Sequence, residues 1–219
     1  TYGKVFQIRK QSGENYALKI INSEKDFEKN EKLRELRELD ALTKFNHPNI
    51  IRAVEVDVQE YLGVPSLMIV LPLASGTLDS VLYNPGDIPI QKNKWIYQIL
   101  SAFFFLHKHG IFHCDVKPNN VLIINTDAVV SDFGLSGDKS RFTSDFCQTI
   151  KSPQRLLRDT SWSKTATGIR SGIDDLPSNE FQDEKWAIGC LIAFILTSGK
   201  LIFGDCLLYT SDAADDTPC

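Results

Sequence analysis

The chain lacks a long hydrophobic run, an excess of basic charge and a paired-cysteine motif, and each absence removes a class of protein. Its longest apolar stretches, such as IGCLIAFIL at 188–196, are far shorter than the roughly 20 residues that cross a bilayer, so no membrane segment is expected. Lys and Arg number 24 against 28 Asp and Glu, a formal net charge of -4. Such a balance does not track a phosphate backbone, and nucleic acid is not expected as a partner. Five cysteines, an odd number with no CxxC spacing, argue against a disulfide framework or a zinc site. Reduced thiols in a cytoplasmic, reducing compartment are expected instead. There is no internal repeat, and the chain opens on Thr1 rather than Met, from which a start further upstream is expected.

What is present is the composition of a globular protein. Of the 219 residues, 42% are hydrophobic and 24% charged, enough for a sizeable core in one domain or in a domain of two lobes. KVFQI and NYALKII alternate like two strands around KQSGE, a hairpin. From Ser23 to Phe45 charged residues carry leucines at 33, 36, 39 and 42, a helical spacing, and HPNII ends it because Pro48 disfavours helix at its predecessor. IRAVEVDV and SLMIVLPL form two further strands around a turn of Gly and Pro. TLDSVLYN and KWIYQILSAFFFLHKHG are helical, 158–181 is polar loop, and EKWAIGCLIAFILTSG is a buried helix ending at Gly199. A mostly β front with one helix therefore precedes a mostly α back, an α+β chain.

Moving a phosphoryl group from a nucleotide takes a lid over the phosphates, a cation to hold them, oxygens to hold a metal, and a carboxylate aimed at the acceptor hydroxyl. Candidates occur in that order. TYGKV holds Gly3 at a strand start, and YALKI places Lys19 on the following strand. A lone strand lysine is ordinarily a solvated edge charge. Glu31, Glu35 and Glu38 lie in the first helix, where glutamates ordinarily face solvent beside arginines. HCDVKPNN at 113–120 and SDFG at 131–134 are the strongest pair, separated by the strand-like VLIINTDAVV.

On these motifs residues 1 to about 205 resemble the eukaryotic protein kinase family, which implies a bilobal fold binding ATP and Mg²⁺ between its lobes. The resemblance divides the chain into a small lobe, 1–73, and part of a large lobe, 74–205. It implies that Gly3 and Val5 belong to the glycine-rich loop, that Ala17 lines the adenine pocket, and that Lys19 binds the α and β phosphates, held by Glu38 of the family's αC helix. Leu42 would be a hydrophobic spine residue. Leu71 would be the gatekeeper, Leu73 part of the hinge and Leu122 the pocket floor. Asp115 would take the acceptor's proton, Lys117 neutralise the γ-phosphate, and Asn120 and Asp132 bind Mg²⁺, with Phe133 packing on αC. Lys117 matches the serine/threonine pattern, so a protein hydroxyl substrate is implied. Two alternatives stay open: a pseudokinase scaffold, and a small-molecule phosphotransferase of the aminoglycoside or choline type.

The family's pattern also frays. Cys114 stands where an arginine usually receives an activation-segment phosphate, so the loop is expected to work without that switch. Gln154 replaces the glutamate of the family's Ala-Pro-Glu. Glu184, with Asp183 beside it, aligns with the αF aspartate that braces the catalytic loop, and either could serve. Residues 206–216, CLLYTSDAADD, have no counterpart and resemble the translation of a sequencing-library adapter, so 206–219 is expected to be a non-native tail. On the family's pattern the chain is expected to be truncated at both ends, leaving the αF helix with an uncovered apolar face.

Overall fold

A computed structural model of the chain describes residues 4–22, 29–138 and 180–200. Gly3, the activation-segment hydroxyls Thr143, Ser144 and Thr149, Gln154 and the 206–219 tail lie outside the described residues.

The front lobe is a four-stranded antiparallel sheet of β1 (Lys4–Arg9), β2 (Asn15–Asn22), β3 (Glu55–Tyr61) and β4 (Val64–Pro72), ordered β1-β2-β4-β3, with one helix, α1 (Lys29–Lys44). The β1–β2 hairpin closes through Gly13 at φ +94°, with Lys10 N–H donating to the Glu14 carbonyl at 2.9 Å. The β3–β4 turn is Leu62–Gly63, both at positive φ (56° and 82°), the twist that suits a two-residue hairpin. Pro65 falls inside β4 rather than in the turn. β3 also starts later than alternation suggests, at Glu55, because the backbone before it bonds elsewhere: Ile51 N–H donates to Val130 and Ala53 N–H to Leu42, each at 2.9 Å. α1 packs by Ala41 and Leu42, whereas Leu36 of the expected leucine stripe is exposed.

The back lobe begins with β5 (Gly76–Thr77) and α2 (Leu78–Tyr83), whose first turn Thr77 and Ser80 cap reciprocally. α3 (Lys92–Lys108) buries Trp95, Ile99, Ala102, Phe103 and Leu106, a stripe of helical period. β6 (Ile111–Phe112), a 3₁₀ turn at Pro118–Asn120, β7 (Val121–Ile124), β8 (Asp127–Val130), β9 (Gly137–Asp138) and α4 (Glu180–Leu196) follow. The segment VLIINTDAVV is thus two strands. Asn125 and Thr126 reverse the chain at positive φ, and the Trp95 indole N–H caps the reversal by donating to the Thr126 carbonyl at 2.9 Å. α4 starts four residues before Glu184, and contrary to expectation its apolar face is covered: Ala187, Ile188, Leu191, Phe194 and Ile195 are all buried. Among its described side chains only Leu196, at its end, is an exposed large apolar residue, while α3 exposes Tyr97, Leu100 and Phe104.

The lobes are joined where the HPNII turn meets β8. Ile50 bridges to Val130, Val130 N–H donates to the Asn49 carbonyl at 2.9 Å, and the Asn49 side-chain amide donates to Ala128 at 3.0 Å. His47 fastens the same turn to α3. Its Nδ1 accepts the Asn49 N–H at 3.1 Å, so Nε2 carries the proton and donates to Ser101 Oγ at 3.1 Å. The neutral ring suits that arrangement, and burial pushes its pKa below 6.5. A histidine whose folded pKa is depressed stabilises the fold above its unfolded pKa, and that contribution is lost as pH falls through the folded value. We expect the melting-temperature advantage of the wild type over His47→Gln at pH 7.5 to shrink steadily below about pH 6.5. An advantage constant down to pH 5 would show that protonation of His47 does not oppose the turn.

Candidate active site

Register in the front sheet decides which side chains face the cleft. Residues directly opposite one another share a face, and β2 places Lys19 opposite Val5 and Ile69, and Ala17 opposite Leu71. Val5, Ala17, Lys19 and Leu71 therefore line one side of the sheet, the side on which Ile69 and Leu42 are buried. Leu73 and Leu122 are half-buried, one just beyond β4 and the other on β7 opposite Thr77. Lys19, only 7% exposed, reaches Glu38 of α1 with Nζ 2.5 and 2.6 Å from the two carboxylate oxygens. In so dry a site removing one partner strands the other charge, at a cost of about 3–5 kcal/mol.

The loop from His113 to Asn120 is held from inside. His113 is fully buried; its Nδ1 accepts the Asp115 N–H at 3.2 Å, so its Nε2–H donates to the Ser131 carbonyl at 2.8 Å. Asn120 Nδ2 donates both to the Asp115 carbonyl and to its Oδ2, each at 2.8 Å. Lys117 Nζ stands 3.1 Å from the same Oδ2. Ser131 ties the two motifs together, its N–H and hydroxyl both donating to the Asn120 carbonyl, at 2.8 and 3.0 Å. Asp132 then turns at φ +63°, a conformation that costs a residue with a Cβ about 1 kcal/mol or more.

Asp132 and Asn120 suit a hard divalent cation such as Mg²⁺, which takes carboxylate and amide oxygens. Since both acceptors of Asn120 meet its NH₂ group, the side chain offers Oδ1 as its ligand oxygen. Among the described residues no group of three or more His, Cys, Asp or Glu forms a metal centre.

Cys114 is buried at φ +67°. Its N–H donates to Glu184 Oε2 at 2.9 Å, while Glu184 Oε1 meets His107 Nε2 of α3 at 2.6 Å. Glu184, near the start of the buried helix, thus braces the loop. His107 belongs to no motif and escaped the sequence reading, whereas Ser131 lies inside SDFG but its part in joining the two motifs was not foreseen. We expect Glu184→Ala, which strands a buried N–H worth about 1–3 kcal/mol, to lower the melting temperature by roughly 4–8 °C and the turnover rate with it. Glu184→Asp, too short to span both partners, should fall between the two. Equal behaviour of the Ala and Asp variants would remove the brace.

The protein kinase domain family model matches residues 1–167. Serine/threonine-protein kinase ICK of Rattus norvegicus is 32% identical over 212 residues, covering 93% of this chain and 30% of that protein. Serine/threonine-protein kinase RAD53 of Saccharomyces cerevisiae is 32% identical over 208 residues, covering 90% of this chain and 24% of that protein. The chain thus spans less than a third of the length of these two relatives. In the crystal structure of the yeast RNA Pol II CTD kinase CTDK-1 complex, a chain superposes with TM-score 0.65 at 23% identity, over 92% of this chain and 61% of its own. The chain belongs to the protein kinase family, with that family's α+β bilobal fold. The family generally uses ATP and Mg²⁺. No helix among the described residues is long and apolar enough to cross a membrane.

Proposed function

We propose that this chain is the catalytic core of a protein serine/threonine kinase, transferring the γ-phosphoryl group of ATP to a protein hydroxyl. The observation that carries this reading is the loop in which the Asp115 carboxylate is fixed between Lys117 and Asn120, with Ser131 tying Asn120 to Asp132. Asp115 orients the acceptor hydroxyl and takes its proton as the new O–P bond forms and the bond to the ADP oxygen breaks. Lys117 offsets charge on the moving phosphoryl group, and Lys19, steadied by Glu38, holds the α and β phosphates. Asn120 and Asp132 would hold Mg²⁺, which when bound neutralises phosphate charge. Val5, Ala17, Leu71, Leu73 and Leu122 would enclose the adenine, with Gly3 over the phosphates.

Cys114 cannot make the charge-assisted bonds an arginine makes to a phosphate, and its amide is already held by Glu184. We expect the triple variant Thr143→Ala, Ser144→Ala, Thr149→Ala to keep activity within about threefold of wild type. A loss of roughly a hundredfold, about 2.7 kcal/mol, restored by Asp at one position would show that another cation receives a phosphate there.

The deciding assay is transfer from radiolabelled ATP by the full-length protein to casein, histone and an aminoglycoside. Label on a protein substrate supports the proposal. Label on the aminoglycoside alone would make it a small-molecule phosphotransferase, and nucleotide binding without transfer a scaffold.

A further inference from the structure

Strand β3 is the outer strand of the front sheet: β4 pairs with one of its edges, and among the described residues no strand pairs with the other. Which backbone groups face that open edge follows from the turn. Tyr61 and Val64 are partners flanking the two-residue Leu62–Gly63 turn, and in such a hairpin the flanking pair is hydrogen-bonded. Bonded and non-bonded pairs alternate along an antiparallel ladder, so Glu55, Asp57, Gln59 and Tyr61 bond to β4, while Val56, Val58 and Glu60 turn N–H and C=O outward. The straight edge starts at Glu55, because Val54 N–H donates at 2.8 Å to the carbonyl of Val70, the register partner of Glu55, a bulge of two residues against one.

An edge of this kind is a template for a further strand. It is exposed from Glu55 to Glu60, and its valines are bare: Val54, Val56 and Val58 are all exposed, Val58 by 66%. An added strand would bond at Val56, Val58 and Glu60. The middle amide is already taken. Asp57 Oδ1 accepts the Val58 N–H at 2.8 Å, and Gln59 Nε2 fixes the carboxylate by donating to Oδ2 at 2.7 Å. These bonds, that from Gln59 above all, hold the Asp57 carboxyl below its usual pKa, so the cap is anionic at neutral pH. Asp is depleted from strands, and this cap, rather than propensity, accounts for its place in the middle of β3.

We propose that Asp57 guards the open edge of β3: by occupying the Val58 amide with a carboxylate, it keeps this surface from pairing antiparallel with β3 of a second copy of the chain. A second copy fits the edge because pairing about Val58 is self-complementary. It sets Val58 against Val58, Val56 against Glu60, Asp57 against Gln59 and Glu55 against Tyr61, so that no two acids stand directly opposite. In the wild type the middle amide has no proton to offer, and the incoming carbonyl meets a carboxylate.

The test compares full-length wild type, Asp57→Thr, Asp57→Asn and the double variant Asp57→Thr, Val58→Pro by sedimentation equilibrium, with melting curves and amide hydrogen exchange along β3. Asp57→Thr frees the amide and supplies a good strand former. Its self-association constant is expected to exceed that of wild type at least about tenfold, with the Val56, Val58 and Glu60 amides exchanging more slowly as protein concentration rises. Proline at 58 removes an amide that β4 does not use, so the double variant should return to the wild-type constant. Asp57→Asn, which keeps an oxygen for the Val58 N–H but no charge, should fall between wild type and Asp57→Thr. Asp57 is opposite Met68, itself opposite Ile20, on the face of the sheet away from Lys19, so the transfer rate of dilute Asp57→Thr should stay within about twofold of wild type. A folded Asp57→Thr that associates no more than wild type would overturn the inference, as would a double variant that associates as strongly as Asp57→Thr. If proline at 58 unfolds the sheet, exchange in Asp57→Thr still decides: slowing confined to amides outside β3 would place the contact elsewhere and overturn it.

Discussion

Replacing Asp115 by Ala is expected to slow phosphoryl transfer by a factor of about a hundred to ten thousand, with the KM for ATP changed about threefold at most. The separation follows from geometry. Asp115 belongs to the floor of the loop, bonded to Lys117 and Asn120, whereas the cation assigned to the phosphates, Lys19, stands on the sheet and is held independently by Glu38. Removing Asp115 takes away the group that orients the acceptor hydroxyl and accepts its proton, an interaction made late on the reaction path. Parallel loss of rate and ATP affinity would point to a collapsed loop, and circular dichroism with a melting curve on the same sample separates the cases. Asp115→Asn is the finer probe: it keeps the size of the side chain and an oxygen for Asn120 and Lys117 but cannot take the proton. It should be as slow as the Ala variant while melting closer to wild type.

Asp132→Asn should abolish measurable transfer. The amide has nearly the shape of the carboxylate, so the turn at Asp132 and the packing of Phe133 against His113 and Phe45 should survive. What goes is a full negative charge at a metal site that has one other assigned protein ligand, the neutral Asn120 oxygen. With hard cations, affinity depends on ligand charge as well as on ligand number, so the metal should be held far more weakly. Titration of a fluorescent ATP analogue with and without Mg²⁺ checks the step directly: wild type should bind more tightly with the metal, and Asp132→Asn should lose that increment while retaining the metal-free part. Wild-type rates in the variant would remove Asp132 from the site.

The two kinds of site residue differ in how they could be found. Asp115, Lys117 and Asn120 lie within six consecutive residues, and Asp132 follows after one short hairpin. Chemistry that needs a base, a cation and an amide on one loop leaves its mark as fixed local spacing, so these residues were legible as a motif. By chemistry alone Lys19 and Glu38 read as a strand lysine and one of several helical glutamates, each with an ordinary solvated explanation, and their pairing was expected only from the family resemblance. Their pairing depends on how α1 lies on the sheet, and that rests on Ala41 and Leu42 being buried while Leu36 is not.

Local periodicity and turn chemistry by themselves determined the order and type of most elements: the hairpins, the long helices, the exit from α1 before Pro48. They did so because such preferences act over a few residues and do not wait for the rest of the chain. Only the tertiary structure decided what comes from distant segments meeting. Glu184 braces Cys114, His107 completes that brace from α3, β3 begins at Glu55 because the preceding amides bond across to α1 and β8, and α4 is buried where an open face was expected. Each of these outcomes is settled by the burial of a polar or apolar group against a partner far away in sequence, and the free energy of that contact does not exist until the chain has folded.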